Sequence, residues 1–419
     1  MKPNRKYILL FLSLGFLLSC SDDHKGNGGE EEIPATDLSA EALANCYIVQ
    51  TPGTFKFKAD NMFNLGEGLP VPPVIEASSA SLIWQTNPGL IKEVELKMEK
   101  DGTPYVYFNV EKPEGNALIG VKNHKGEIEW SWHIWMPKVN VSSVRSNTEY
   151  EIMNLNLGAV TYTAGDPDSY GMLYQWGRKD PFPTSATLTG NTSTVGATLY
   201  DEKGNIVEVT HSNWMDDSNN TIEYSLAHPT EVISNNAHYQ TSRDWLLPDL
   251  SDDSLWGNPY GDYRNQTEHP DVYINQKTCY DPSPAGWRVA PADAFRDYTF
   301  SGGYAWTMDD FNVSDFNEDG AVDLEDYNYG WWFNVNDGES MYYPAAGRYD
   351  GTYAMLMGSV SGIWGNYWSS APYSNIVGGG FCALSFQVKG MNGEDYVTVS
   401  PAAGASRADA YSVRCVRDF

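Results

Sequence analysis

The chain has 419 residues and carries 27 Lys and Arg against 55 Asp and Glu, so its formal net charge at pH 7 is -28. This charge argues against a nucleic-acid partner, because binding to phosphates needs a basic surface. The length predicts two or three domains, and the acidity suits a solvated extracellular surface or the binding of divalent cations.

Residues 1–19 have the pattern of a secretion signal. Basic residues precede an apolar stretch from residue 7 to residue 18, which is shorter than the roughly 20 residues that span a bilayer as a helix. The sequence LLSC at residues 17–20 resembles the lipobox of bacterial lipoproteins. The resemblance implies cleavage before Cys20, acylation of that residue with palmitate, and anchorage in a membrane by lipid alone. The alternative is an ordinary signal peptide with a coincidental Cys.

Residues 20–39 are polar, acidic and rich in Gly, so they cannot bury a core and are predicted to form a flexible tether. The acidic start SDD at residues 21–23 resembles the surface-export signal of Bacteroides-type lipoproteins. That resemblance implies a cell-surface protein of the outer membrane. The alternative is a spacer on the periplasmic side.

Residues 40–138 have the pattern of an all-β domain. Segments of alternating apolar and polar residues flank the turn sequences KDGT and NHKG, and residues 127–135 place apolar side chains at every second position. Hairpins at this spacing predict an antiparallel β-sandwich.

Residues 139–419 show no long amphipathic helix and are rich in Trp, Tyr and Gly, which predicts short strands and long loops. Polar stretches near residues 187–220 and 305–330 are interpreted as insertions. Five short motifs follow one another through this region: NLNLGA at 154–159, LYQWGRKDPF at 173–182, YDPSPAGWRV at 280–289, YWSS at 367–370 and YSVRCVRD at 411–418.

Together these motifs resemble the Fibrobacter succinogenes major paralogous domain, whose fold is similar to C-type lectin-like domains. The resemblance implies that residues 139–419 form an α+β C-type lectin-like domain, so the predicted fold is an all-β amino-terminal sandwich followed by this domain. The family usually has Cys at the position of Ser283, bridged to the residue matching Cys415. Here either Cys279 replaces it or Cys415 pairs with Cys382.

Four Cys follow Cys20, at positions 46, 279, 382 and 415. In an oxidising compartment they allow two disulfides, whose pairing the spacing does not determine. A C-x-x-C pair does not occur, which argues against a zinc or redox site.

The lipobox, the predicted sandwich with its WSWHIW strand and the lectin-like end together resemble a tip subunit of Bacteroides-type fimbriae. The resemblance implies assembly with other fimbrial subunits by β-strand donation, and adhesion to a glycan or protein on a host or bacterial surface. The alternative is a free-standing outer-membrane lipoprotein that binds such a ligand without a pilus.

The sequence DFNEDGAVDLED at residues 315–326 matches the template of a calcium loop, with Gly320 at the sharp turn. The loop departs from this template at the last position, where Asp replaces Glu, and this substitution resembles dockerin-type loops. Dockerins usually carry two such repeats, whereas this chain has one. We therefore predict structural Ca²⁺; the alternative is a solvated acidic loop. The predicted ligands are Asp315, Asn317, Asp319, Ala321 through its carbonyl, Asp323 and Asp326.

Catalytic patterns are lacking, so the protein is predicted not to be an enzyme. The seven His form no zinc motif, Val360 rather than Ser is central in GSVSG, and the chain has no P-loop. The Glu-Pro-Asn and Gln-Pro-Asp triplets of calcium-dependent sugar sites do not occur either. A group of aromatic residues could instead stack on a ligand or pack in the core. The group is Trp331, Trp332, Tyr342, Tyr343, Trp364, Tyr367 and Trp368.

Overall fold

The computed structural model describes residues 34–63, 68–188, 196–258, 276–357, 360–373, 379–389, 395–401 and 403–418. The predicted secretion signal, Cys20 and most of the tether lie outside the described residues. The structure is 40% strand and 9% helix, so it is dominated by β-sheet. Within the described part of the chain, no helix is long and apolar enough to cross a membrane.

The first third of the chain forms the two predicted hairpins. Gly102 and Gly126 have φ of +88° and +84°, which places them in the left-handed conformation that the two turns require. The strands are β1 Thr36–Asp37, β2 Cys46–Ile48, β3 Gly53–Lys58, β4 Ser79–Gln85, β5 Ile91–Met98, β6 Pro104–Val110, β7 Gly115–Lys122, β8 Ile128–Met136 and β9 Ser143–Arg145.

The described residues in the middle of the chain form short strands, one α-helix and several 3₁₀ turns. Thr221 caps the α-helix Ile222–Ala227 by accepting a hydrogen bond from the backbone N–H of Tyr224. The strands are β10 Glu151–Asn156, β11 Met172–Gln175, β12 Phe182–Pro183, β13 Leu199–Tyr200, β14 Ile206–Val207, β15 Thr210–His211, β16 Glu231–Val232 and β17 Trp287–Val289. The 3₁₀ turns are Pro167–Ser169, Asn236–His238, Pro248–Leu250 and Ala292–Tyr298.

The last part of the chain supplies the longest strands, and its described residues include two further 3₁₀ turns of three residues each. Those turns are Met308–Asp310 and Leu324–Asp326. The strands are β18 Gly330–Asn336, β19 Glu339–Pro344, β20 Tyr349–Asp350, β21 Met355–Leu356, β22 Trp364–Tyr373, β23 Gly379–Lys389, β24 Asp395–Ser400, β25 Ala403–Ser406 and β26 Ala410–Arg417.

Three large sheets organise these strands. The first has the order β1-β3-β6-β5, the second β14-β13-β4-β7-β8-β2, and the third contains twelve strands, with β12-β11-β26-β22-β23-β24 as its main path. Strand β26 is central to the third sheet, because it pairs with β10, β11, β17, β20 and β22. The carboxy-terminal motif YSVRCVRD therefore lies in the middle of the fold.

Strand β8 is buried on both faces, although its sequence predicts that alternate side chains are buried. Trp132 contacts Phe57 of the first sheet, with 5.0 Å between ring centroids. On the other face, the indole N–H of Trp135 donates to the carbonyl of Ala159 at 2.7 Å. The strand thus lies between the first sheet and the carboxy-terminal region, and this explains why Trp130–Met136 is buried throughout.

Residues Ala35–Phe419 form one compact unit, and the predicted boundary between residues 138 and 139 falls inside it. The largest of the hydrophobic clusters joins Trp84 and Trp132 to Trp176 and Trp245. The predicted insertion at residues 187–220 contributes to this unit, since β13 pairs with β4 and extends the second sheet.

Candidate ligand-binding surface

The hairpin β18–β19 has one face in the core and one face toward solvent. Trp331, Phe333 and Val335 are 0%, 0% and 2% exposed, whereas the alternate residues Trp332 and Asn334 are partly exposed. This difference follows from the two-residue period of a strand. The hairpin therefore offers polar side chains on a rigid, buried support.

A cavity of about 640 Å³ opens beside the turn of this hairpin. Its lining is polar and acidic, and the exposed ring of Phe300 lies at its border. The side chains that supply amide, hydroxyl and carboxylate groups are Asn147, Asp297, Thr299, Asn312, Ser314, Asn334, Asn336, Asp337, Glu339 and Ser340. Such groups bind small polar ligands by directed hydrogen bonds.

A chain of hydrogen bonds fixes the floor of the cavity. The Ser314 hydroxyl donates to Oδ1 of Asn334 at 2.7 Å, and Nδ2 of Asn334 donates to Oδ1 of Asn312 at 3.1 Å. Nδ2 of Asn312 in turn donates to the carbonyl of Asp297 at 2.7 Å. Because each amide has an assigned direction, the remaining donors and acceptors present a fixed pattern to a ligand.

The predicted calcium loop is folded by its own side chains. Oδ1 of Asp326, at the last position, accepts from the backbone N–H groups of Phe316 and Asn317 at 2.7 and 3.1 Å. Oδ2 of Asp326 accepts from the N–H of Asp323 at 3.0 Å. Gly320 has φ of +95°, as expected for the sharp turn. The loop is therefore closed between its two ends.

The oxygens of the first positions lie side by side. Oδ1 of Asp315 and Oδ1 of Asn317 both accept from the backbone N–H of Asp319, at 3.2 and 2.9 Å. Each oxygen keeps a second lone pair for a cation. Among the described residues, no three Asp, Glu, His or Cys side chains form a ready metal cluster. The loop thus has suitable ligand types, and calcium binding stays a proposal.

One aromatic stack joins the loop to the hairpin. The ring of Phe316 lies 5.7 Å from that of Trp332, with an interplanar angle of 7°. Trp332 also contacts Tyr342 at 5.4 Å. The conformation of the loop is therefore coupled to a partly exposed Trp next to the cavity.

Most of the seven predicted ligand-binding aromatics lie in the core. Trp331, Tyr343, Tyr367 and Trp368 are completely buried, and Tyr342 is 3% exposed. They pack between sheets, as large apolar side chains usually do, so their rings cannot reach a ligand in this structure. Two members are partly exposed, Trp332 and Trp364.

A different aromatic cluster is on the surface, and no sequence motif distinguishes its residues from the other aromatics of the chain. Tyr304, Trp306 and Tyr396 are 47%, 63% and 37% exposed. The rings of Tyr304 and Trp306 lie 4.5 Å apart, and those of Trp306 and Tyr396 lie 5.8 Å apart. Residues 90 positions apart in sequence meet here only because the loop bearing Trp306 pairs with β24.

No protein-family model, curated protein or solved structure matches this chain.

The predicted disulfides involving Cys415 are not formed. Cys46, Cys279 and Cys415 are buried free thiols, and Cys415 donates from Sγ to Oγ of Ser283 at 3.2 Å. Burial raises the pKa of Cys415 to about 12, so the thiol is neutral at physiological pH. A hydrogen bond thus stands where the resemblance implies a covalent bridge.

Lys277 was missed by the sequence interpretation and holds the YDPSPAGWRV motif together. Its buried ammonium donates to the carbonyls of Ser283, Pro284 and Trp287 at 2.5, 2.6 and 2.8 Å. Desolvation lowers the pKa of Lys277, while Asp281 opposes the shift. Since all three acceptors are backbone carbonyls, its role is structural.

The adjacent carboxylates Asp252 and Asp253 both have hydrogen-bond or ion-pair partners within the fold. Asp253 binds the guanidinium of the buried Arg407, which also pairs with Asp244 at 3.1 Å. Asp252 accepts from the backbone N–H of Ser254 at 2.8 Å. These contacts explain the two carboxylates as structural groups.

Proposed function

We propose that the protein is a surface-exposed lipoprotein that acts as an adhesive subunit at the tip of a fimbrium and binds its ligand without catalysis. The observation that carries the proposal is the polar cavity beside the β18–β19 turn, which combines prearranged amide and hydroxyl groups with an exposed aromatic ring. A prearranged polar cavity favours recognition, because little conformational entropy is lost when a ligand binds.

The fold assignment is part of this proposal. The all-β character of the described residues between 34 and 138 and the central position of β26 are compatible with a sandwich followed by a C-type lectin-like domain. The motifs carried by β11, β17, β22 and β26 meet in one sheet, which is compatible with their belonging to one domain. The fold assignment itself comes from the family resemblance, and the strand pairing is consistent with it.

Calcium has a supporting role in the proposal. Asp315, Asp319, Asp323 and Asp326 lie in one short loop, and a bound Ca²⁺ would neutralise their mutual repulsion. The cation would hold the loop, and through the stack of Phe316 on Trp332 it would hold the surface next to the cavity. We assign it no part in bond making or breaking.

Membrane anchorage and pilus assembly rest on the sequence resemblance. Acylation of Cys20 would attach the chain to the outer membrane, and donation of a β-strand would join it to other fimbrial subunits. Replacement Cys20→Ser tests the first part: it should abolish labelling with radioactive palmitate and release the protein from the membrane fraction. Retention of label would contradict lipidation at this residue.

The tip location is tested by immunogold electron microscopy of cells that express the protein. We expect gold particles at the ends of filaments. Label spread evenly over the cell body would instead support the free-standing surface binder, in which the same cavity recognises a glycan or protein without a pilus.

Adhesion by the cavity is tested with Asn334→Ala, which removes the central amide of the hydrogen-bond chain. Cells that carry this variant should adhere at least tenfold less than the wild type at equal surface expression. The matched control is Asn205→Ala, which removes an exposed amide in the β13–β14 turn. Equal adhesion by both variants would show that the cavity is not the binding site.

A further inference from the structure

The exposed rings of Tyr304, Trp306 and Tyr396, here called the aromatic platform, form a shaped surface. Trp306 and Tyr396 meet at an interplanar angle of 85°, so one ring stands upright beside the face of the other. The hydroxyl groups of Tyr304 and Tyr396 lie 3.5 Å apart. The platform therefore combines an open ring face, a perpendicular wall and a polar edge.

The platform is held by the backbone. Ala305 is 2% exposed and exchanges hydrogen bonds with Val399, N–H to carbonyl at 2.8 Å and the reverse at 3.2 Å. Because side chains alternate along extended backbone, the neighbours Tyr304 and Trp306 project away from the buried Ala305. Pairing of Thr299 with Phe311 closes the loop at its base. The rings are thus presented to solvent on a fixed support.

We propose that the aromatic platform binds a neutral glycan by stacking one pyranose ring on Trp306. A pyranose has a face of C–H bonds with partial positive charge, which the negative face of an indole attracts. Its hydroxyl groups project sideways and would meet the phenol groups of Tyr304 and Tyr396. The perpendicular ring of Tyr396 would limit how the sugar can turn.

The size of the platform favours a sugar over a folded protein partner. From the exposed fractions of the three rings, the apolar area is roughly 300 Å², which matches one or two sugar rings. A stable protein interface needs about 800 Å² on each side. Three rings alone are therefore too small to hold a protein.

The charge around the platform favours a neutral sugar. Asp309 and Asp310 follow Trp306 on the same loop, and the chain as a whole has a net charge of -28. Uronic, sialylated and sulfated glycans would be repelled, with a strength that falls as salt is added. This inference concerns residues outside the cavity, and it does not depend on the fimbrial assignment.

The test is isothermal titration of the full chain with maltohexaose, cellohexaose and mannohexaose, and with polygalacturonate as the anionic probe. At least one neutral hexaose should bind, and Trp306→Ala should weaken it at least tenfold. Trp306→Phe, which keeps a ring, should recover part of the affinity. The matched control is Trp214→Ala, because Trp214 is also exposed (44%) and contacts a Tyr ring but lies outside the platform.

Three outcomes would overturn the proposal: no binding of any neutral hexaose, equal binding by the wild type and Trp306→Ala, or tighter binding of polygalacturonate. A fourth outcome would also overturn it: the wild type binds phosphatidylcholine vesicles but no glycan, and Trp306→Ala loses the vesicle binding. That result would assign the platform to a membrane surface. Circular dichroism and the melting temperature of each variant show whether it is folded. If Asn334→Ala loses adhesion but still binds the hexaose normally, adhesion depends on the cavity and glycan binding depends on the platform.

Discussion

Cys415 of β26 donates a hydrogen bond from its thiol to the hydroxyl of Ser283, at a distance of 3.2 Å between Sγ and Oγ. Both side chains are completely buried. The contact joins the central strand of the largest sheet to the YDPSPAGWRV motif. A covalent bridge at this position would need little rearrangement, because the two atoms already face each other.

Ser283→Cys should therefore form a disulfide with Cys415 under oxidising conditions. The closed loop exceeds 100 residues, and the expected gain in stability is about 2–4 kcal/mol, lowered by any strain. Mass spectrometry of the unreduced protein and urea unfolding with and without reductant measure the two effects. Ser283→Ala is the control and should show no dependence on reductant. In a chain that lacks Cys20, a count of five free thiols after oxidation, rather than three, would contradict the prediction.

His133 should make the stability of the protein depend on pH. Burial lowers the pKa of this imidazole from 6.5 to about 3. The groups that face its nitrogens are Asn116, 2.9 Å from Nε2, and the hydroxyl of Tyr174, 3.3 Å from Nδ1. If Tyr174 donates to Nδ1, the proton of the neutral ring is on Nε2 and donates to Asn116.

The unfolded chain takes up a proton on this residue below pH 6.5, whereas the folded protein does so only near pH 3. The stability contributed by His133 is thus complete above pH 6.5 and declines as the pH falls, by about 1.4 kcal/mol per unit. Urea unfolding from pH 7 to pH 4 should show a shallower decline for His133→Gln than for the wild type. His124→Gln, at an exposed turn, should match the wild type; a shallower decline in this control would refute the assignment.

The hairpins and the acidic loop could be predicted from the sequence, because local patterns determine them. Gly102 and Gly126 stand at the turns that their sequences indicate, and Gly320 takes the positive φ that the loop template requires. These features depend on a few consecutive residues.

The core that residues on both sides of the predicted domain boundary share and the surface aromatics could not be predicted, because they depend on contacts between distant residues. The pairing of Leu199–Tyr200 with β4 joins segments more than 100 residues apart. Trp331 and Trp332 are adjacent residues of the same type, yet Trp331 is completely buried and Trp332 is partly exposed. The orientation of the strand determines which of the two side chains is buried, and the aromatic content of the sequence does not predict that orientation.

The buried ion pair of Lys179 and Asp180 should be essential to the packing of β8. The Lys179 ammonium donates to Oδ1 of Asp180 at 2.7 Å and to the hydroxyl of Ser131 at 2.6 Å. Desolvation lowers the pKa of Lys179, and the charge of Asp180 opposes the shift. Asp180→Ala would leave a buried charge without a partner and should cost about 3–5 kcal/mol.

The double replacement Lys179→Met with Asp180→Leu should be more stable than Asp180→Ala, because it removes the charge and keeps the volume. Urea unfolding measures all three proteins. As a control, Glu111→Ala breaks the exposed pair of Lys92 and Glu111 and should cost at most about 1 kcal/mol. A cost for Asp180→Ala as small as that of the control would show that the buried charge is not held in place by its partner.

Calcium should stabilise the protein through the loop at residues 315–326. For an extracellular site with a Kd of about 10⁻⁴ to 10⁻³ M, 10 mM Ca²⁺ should add about 1.4–2.7 kcal/mol to the free energy of unfolding. Asp315→Ala and Asp319→Ala should abolish both this gain and the heat of binding. Asp337→Ala removes an exposed carboxylate outside the loop and should retain both.

Because Phe316 stacks on Trp332, Ca²⁺ should also change Trp fluorescence in the wild type, and replacement Trp332→Phe should remove that change while leaving the heat of binding. Heats that are the same in the wild type and Asp315→Ala would show that the loop is a solvated acidic turn without a cation.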